Sequence, residues 1–130
     1  MSAVEFENVT YSYEYAGGER KKALNNISLK IEKGDYVCVI GHTGSGKTTF
    51  LKHIGLILKP TSGKVFVNGV DVCKKGVNLK KVNRDIGFVF QNPSYQLFEE
   101  TVEKDIAFGP KNFGFDEDEV SNLVKKFSKT

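Results

Sequence analysis

Apolar positions along the chain change rhythm several times, and each rhythm predicts a different element. Val4-Glu5-Phe6-Glu7-Asn8-Val9-Thr10-Tyr11-Ser12-Tyr13 mixes β-branched and aromatic residues with polar ones at near-alternating spacing, the pattern of a strand with one wet face. Residues 16–22 (Ala-Gly-Gly-Glu-Arg-Lys-Lys) interrupt it as an exposed turn, and strand character resumes at Ala23-Leu24 and Ile27-Ser28-Leu29-Lys30-Ile31. The first third is therefore expected to be mostly antiparallel β. After the turn Glu32-Lys33-Gly34-Asp35 comes Tyr36-Val37-Cys38-Val39-Ile40, a run without polar alternation that predicts a strand covered on both faces. Further on, Lys64–Val67 and Val70–Val72 flank Asn68-Gly69, a hairpin signal because both turn residues tolerate positive φ. A short polar helix is expected near residues 79–83, and a strand over Ile86-Gly87-Phe88-Val89-Phe90.

The last 30 residues are helical in pattern. Thr101 to about Phe108 reads as a helix ending at Gly109-Pro110. Asp116 caps another, with Glu119 three residues on and Val120, Leu123, Val124 and Phe127 recurring on one apolar face.

The most specific chemistry lies between the apolar run and the helix that follows it. Gly41-His42-Thr43-Gly44-Ser45-Gly46-Lys47-Thr48 has the spacing G-x-x-x-x-G-K-[ST]. The glycines remove side chains, so that backbone N–H groups converge on phosphate oxygens at a helix N-terminus that favours anions. Lys47 reaches the β- and γ-phosphates, and the Thr48 hydroxyl ligates Mg²⁺. The alternative is a glycine-rich turn with a surface lysine, which the strand–loop–helix context argues against. The helix is expected from Lys47 to Leu58, stopped by Lys59-Pro60-Thr61-Ser62-Gly63. The chain is thus expected to bind a nucleoside triphosphate.

Composition changes the picture little. With 130 residues the chain is one domain in size, and 19 basic against 16 acidic residues give a net charge of +3 with no basic stripe, so nucleic acid is not indicated as a partner. Cys38 and Cys73 lack metal-ligand or disulfide spacing and read as free thiols in a reducing cytoplasm. No apolar run approaches the roughly 20 residues that span a bilayer, and the start Met1-Ser2-Ala3-Val4-Glu5 lacks signal-peptide character. His53, Asp71 and Asp105 stand outside any constellation and read as surface residues.

The phosphate loop, Gln91 and Tyr13 taken together resemble the ATPase subunit of ATP-binding cassette (ABC) transporters, over the N-terminal half of that family's pattern. Gln91-Asn92-Pro93, Gln96-Leu97-Phe98-Glu99-Glu100-Thr101-Val102, Asp105-Ile106-Ala107-Phe108-Gly109-Pro110 and His42 within the loop resemble its energy-coupling factor branch, which imports vitamins or transition-metal ions such as cobalt. The resemblance implies an α/β P-loop NTPase fold. Residues 1–91 would form an antiparallel β-subdomain with the P-loop core, and 92–130 the Gln91 loop and the start of a helical subdomain. It further implies that ATP is held by Gly41, His42, Thr43, Gly44, Ser45, Gly46, Lys47, Thr48 and Thr49. Tyr13 would stack on adenine, the alternative being that Tyr11, Tyr13 and Tyr15 form one strand face covering a neighbour. Gln91 would join Thr48 on Mg²⁺ and, with Lys47, serve catalysis by helping to place the attacking water; its bland reading is a solvated strand end.

The implied partners are a second ATPase subunit, a transmembrane coupling protein and a substrate-binding membrane protein, at the cytoplasmic face of the cell membrane. Tyr95 to Val102 would face the membrane partner, though Leu97 and Phe98 also suit packing under the next helix. No apolar run ending in Asp-Glu and no LSGGQ-type signature occurs in the sequence. The chain is therefore expected to be part of one about twice as long, and by itself to be poor at hydrolysis and poorly stable. Two other readings remain: a nucleotide-binding fragment without turnover, and a soluble P-loop kinase, which the presence of only Arg20 and Arg84 disfavours.

Overall fold

A computed structural model describes residues 1–129, which form two compact units divided between Gly87 and Phe88. In the first unit, β1 (Ser2–Glu14) and β2 (Arg20–Glu32) pair antiparallel, and β3 (Ser62–Val67) and β4 (Val70–Asp71) extend the sheet in the order β2-β1-β3-β4. The alternation in β1 slips once. Val4 and Phe6 face the core, but the next buried residue is Val9, three positions on. Asn8 absorbs the extra residue at φ 50°, its N–H donating to Ser28 Oγ at 2.9 Å, where the pairing with both neighbours shifts register. A bulge of this kind moves every later side chain to the other face. It is the reason Val9, Tyr11 and Tyr13 turn inward together.

Helix α1 (Lys47–Ile54) packs Phe50 against Phe6, with ring centroids 4.9 Å apart, and Val4, Val9, Leu24, Val65, Val67, Val72 and Val82 complete the core. Full burial of one such side chain contributes about 1.5–3 kcal/mol. The helix stops four residues short of the expected Leu58. Leu56 adopts φ 56°, with Leu56 N–H donating to His53 O and Ile57 N–H to Lys52 O; this is a Schellman end built on a non-glycine residue. The Asn68-Gly69 turn has φ 49° and 77°, as its hairpin requires, and α2 (Leu79–Asn83) is capped by Asn78, whose side chain accepts from Lys81 N–H at 3.2 Å.

Two expected strands are not formed. Residues 36–40 and 86–90 are irregular, and Tyr36 and Ile40 are 100% and 89% exposed. A strand exists only through hydrogen bonds to a neighbour, and among the described residues nothing pairs with either run. Val37 and Val39 instead line a groove of about 540 Å³ together with Ile27, Leu29 and Phe50.

The second unit holds a 3₁₀ turn (Pro93–Gln96), α3 (Val102–Asn112) and α4 (Glu117–Phe127). Gln96 partly stands in for a neighbouring strand, accepting from Phe90 N–H and donating to Phe88 O, both at 3.2 Å. Helix α3 runs through Gly109-Pro110 rather than ending there. Its stop is Gly114, at φ 81°, where Gly114 N–H donates to Lys111 O and Phe115 N–H to Pro110 O, the paired bonds of a Schellman motif. Asp116 and Glu119 cap α4 reciprocally at 2.8 and 3.2 Å, as expected. Among the described residues no helix is long and apolar enough to cross a membrane.

Candidate site: the phosphate loop and its aromatic wall

The loop 41–46 enters α1 through Gly46, which sits in the left-handed region at φ 92°. A Cβ there would lie 2.5 Å from the Ala23 carbonyl oxygen in β2, so only glycine lets the loop lie this close to the sheet. Gly44, also left-handed at φ 83°, has open space around it, leaving its backbone accessible. The first N–H groups of an α-helix have no intrahelical acceptor, and no side chain caps α1. The turn therefore presents unpaired donors with the positive end of the helix dipole behind them.

Lys47 curls over this turn. Its Nζ donates to Gly41 O and His42 O, both at 2.7 Å, and lies 3.4 Å from Ser45 Oγ, which brings an ammonium to the mouth of the loop. His42 Nδ1 contacts Thr43 O at 2.9 Å, and Ser45 N–H donates to His42 O at 3.2 Å. Thr43 and Thr48 are exposed, whereas Thr49 is buried.

Tyr13, brought inward by the bulge at Asn8, places its hydroxyl 3.0 Å from Thr49 Oγ1. The base-side candidate and the phosphate loop are thus joined by a hydrogen bond that spans 36 residues of sequence. Tyr11 lies edge-on to Tyr13 at 5.0 Å and to His53 at 4.9 Å. Burial first, and the neighbouring Tyr13 phenol second, push the Tyr11 hydroxyl pKa up.

His53, read from the sequence as a surface residue, is 1% exposed. Its Nδ1 meets Thr49 O at 2.7 Å, and since a carbonyl only accepts, Nδ1 carries the proton. Nε2 is buried without a hydrogen-bond partner. Desolvation lowers the His53 pKa, against smaller upward contributions from the Thr49 and Lys59 backbones, so the neutral ring is favoured. Helical period would have flagged it: His53 follows Phe50 by three and Thr49 by four, on the inward face.

A folded-state pKa below the ordinary histidine value of about 6.5 means that the unfolded chain binds the proton more readily. Stability is then at its full value above that pH, and as pH falls toward the depressed value it drops by up to about 1.4 kcal/mol per unit. Melting followed between pH 7.5 and 5.5 is expected to show this loss, with a flatter profile in His53→Leu; identical slopes in both proteins would refute it.

The structure brings Tyr13 and residues 41–49 together in the first unit. Gln91 belongs to the second, exposed in a bend ahead of the 3₁₀ turn. Asp71 and Asp105, also read as surface residues, are half-buried and occupied. Asp71 Oδ1 accepts from Cys73 N–H at 2.9 Å, and Asp105 Oδ1 accepts from Phe98 and Glu99 N–H at 3.4 and 3.3 Å. Cys38 and Cys73 are free thiols.

Solved structures with this arrangement include a dimeric post-hydrolysis state of the ATP-binding cassette MJ0796 bound to ADP and Pi, with TM-score 0.80, 31% identity, and coverage of 95% of this chain and 54% of that one. Another is cbiO1 from Clostridium perfringens, described as part of the ABC transporter complex cbiONQ, with TM-score 0.72, 31% identity, and coverage of 93% and 47%. Among curated proteins, the energy-coupling factor transporter ATP-binding protein EcfA2 of Clostridium acetobutylicum is 52% identical over 126 residues, 97% of this chain and 44% of that protein. Its counterpart from Clostridium perfringens is 49% identical over 124 residues, 95% and 44%. The chain thus spans less than half the length of these curated relatives. The family model described as ABC transporter matches residues 24–130. With more than four-fifths of its length inside that match, and the fold of the cassette structures, the chain belongs to the ABC transporter family.

Proposed function

We propose that this chain is the nucleotide-binding part of an ATPase subunit that drives an energy-coupling-factor-type importer. The observation that carries the reading is the phosphate loop itself: a left-handed Gly46 opening an uncapped α1, with the Lys47 ammonium above it. The donors suit a polyphosphate, the open Gly44 leaves room for its oxygens, and the exposed Thr48 hydroxyl is available to Mg²⁺. No group of three or more His, Cys, Asp or Glu side chains that could hold a metal occurs among the described residues. Mg²⁺ would be held by Thr48 and Gln91 with phosphate oxygens and water, the pattern this reluctantly dehydrated ion favours.

In this reading Gly41 through Thr49 cradle the phosphates and Tyr13 stacks on adenine. Gln91 reaches Mg²⁺ and helps to orient the attacking water in the assembled site. In the family that this chain resembles, an acidic strand end also orients that water, and the sequence holds no apolar run ending in Asp-Glu, so turnover by these 130 residues alone is expected to be slow. Partners would be a second ATPase subunit and membrane proteins for coupling and substrate recognition, placing the chain on the cytoplasmic face of the membrane. The similarity to EcfA2 proteins and to cbiO1 supports that class of importer, with a vitamin or a cobalt or nickel ion as cargo. The exposed, strand-like run at residues 36–40 supports a sheet position whose neighbours are supplied within the complete cassette.

The test separates base from phosphate. Base–aromatic stacking contributes about 1–3 kcal/mol when removed by alanine substitution. Tyr13→Ala is therefore expected to weaken Mg-ATP binding by roughly 5- to 150-fold in calorimetric titration, while inorganic tripolyphosphate loses less than about twofold. Equal losses for both ligands would overturn adenine stacking, and no binding of either to the folded wild-type chain would overturn the nucleotide site.

A further inference from the structure

Four side chains from two elements close a circuit behind the aromatic wall. Tyr13 is held from two directions: its hydroxyl by Thr49 Oγ1 at 3.0 Å, and its ring by the edge of Tyr11 at 5.0 Å. His53 touches both supports. Its Nδ1–H bonds the backbone oxygen of Thr49 at 2.7 Å, and its ring meets Tyr11 at 4.9 Å with an interplanar angle of 77°. The ring is almost fully buried, and the adjoining cavity, lined by Leu58, Pro60, Val65, Val72 and Cys73, measures only about 10 Å³. That is at the lower limit for one water, so the imidazole has little room to shift.

We propose that His53 is a positioning residue for the nucleotide base: it sets Thr49 and Tyr11, and these two fix the plane that Tyr13 presents to adenine. The inference rests on the reading of Tyr13 as the stacking residue. It gives a conformational reason for placing an imidazole, with one ring nitrogen unpaired, where an apolar side chain would fill the space without leaving a buried acceptor unsatisfied. A leucine at this position removes both the donor to Thr49 and the ring against Tyr11, while leaving the phosphate loop's own contacts alone. Because Thr49 also lies in the phosphate cradle, a small effect on tripolyphosphate is expected, and a larger one on ligands that carry a base.

The experiment is a double-mutant cycle in the full chain, with Tyr13→Ala, His53→Leu and the pair each titrated with Mg-ATP and Mg-tripolyphosphate. An aromatic contact of this kind corresponds to roughly three- to tenfold in binding. His53→Leu is expected to lose that much affinity for ATP and less than twofold for tripolyphosphate, with no further ATP loss once Tyr13 is alanine, as for two residues acting through one contact. Unchanged ATP affinity, equal loss of tripolyphosphate, or an ATP loss that persists undiminished in the Tyr13→Ala background would each overturn the proposal. If His53→Leu does not fold, judged by circular dichroism, His53→Asn goes through the same cycle with the same expectations. It keeps a donor near the Nδ1 position but has no ring against Tyr11. The underlying reading fails separately, when Tyr13→Ala by itself weakens tripolyphosphate as much as ATP.

Discussion

Lys47→Ala is expected to weaken Mg-ATP binding by roughly 10- to 150-fold, the equivalent of about 1.5–3 kcal/mol for hydrogen bonds to a charged group. The ammonium offers three donors, directed at Gly41 O, His42 O and Ser45 Oγ. A triphosphate brings a far stronger set of acceptors to the same place, and exchanging carbonyls for phosphate oxygens is favourable because the ammonium then meets opposite charge where a carbonyl offers only a dipole. Alanine removes that exchange and the only cation within the loop sequence 41–48. Lys47→Arg is expected to recover little, since a planar guanidinium cannot place a compact charge in a turn this tight. Calorimetric titration of the folded variants decides it, and wild-type affinity in Lys47→Ala would refute a phosphate-binding role for the loop.

Much of the scaffold around that lysine was legible because the signals are local. Alternation marked β1, Asn68-Gly69 marked the β3–β4 turn, and Asp116 with Glu119 marked the start of α4. What escaped depended on partners or on unusual backbone. The run at residues 36–40 has the composition of a buried strand, but composition names no neighbour, and without one among the described residues the backbone stays irregular. The early end of α1 at Ile54 turns on Leu56 in the left-handed region, a conformation that leucine gives no reason to expect. Gly109-Pro110 looked like a stop, yet α3 continues to Asn112 although Pro110 has no N–H for an intrahelical bond, and the closing bonds are made by Gly114 in the left-handed region, four residues later.

Within the site, the glycine–lysine–threonine spacing located the loop, whereas His53 was read as a surface residue; its spacing from Phe50 and Thr49 held the signal of an inward face, without saying what that face would meet. That depended on the bulge at Asn8. Had β1 kept strict alternation beyond Phe6, Tyr11 and Tyr13 would face away from α1, and neither Thr49 nor His53 would reach them. The single left-handed residue in β1 therefore decides whether the aromatic wall forms beside the loop.

The same dependence on one backbone conformation makes Gly46 the most sensitive glycine of the site, and comparison with Gly44 isolates the reason. Both have positive φ, so alanine at either is strained by about 1–2 kcal/mol. Gly44 faces open space, whereas at Gly46 the new methyl would meet the Ala23 carbonyl oxygen at 2.5 Å. That atom belongs to the backbone of β2 and cannot swing aside as a side chain would, so either the strand or the helix entrance must move. Gly44→Ala is expected to lower stability by about the strain alone. Gly46→Ala should lose more than about 2 kcal/mol in urea unfolding, and tripolyphosphate binding with it, because the displaced turn no longer directs its N–H groups to one point. Equal unfolding midpoints for the two variants would mean that contact with β2 does not hold the loop in place, and that left-handed strain alone accounts for both glycines.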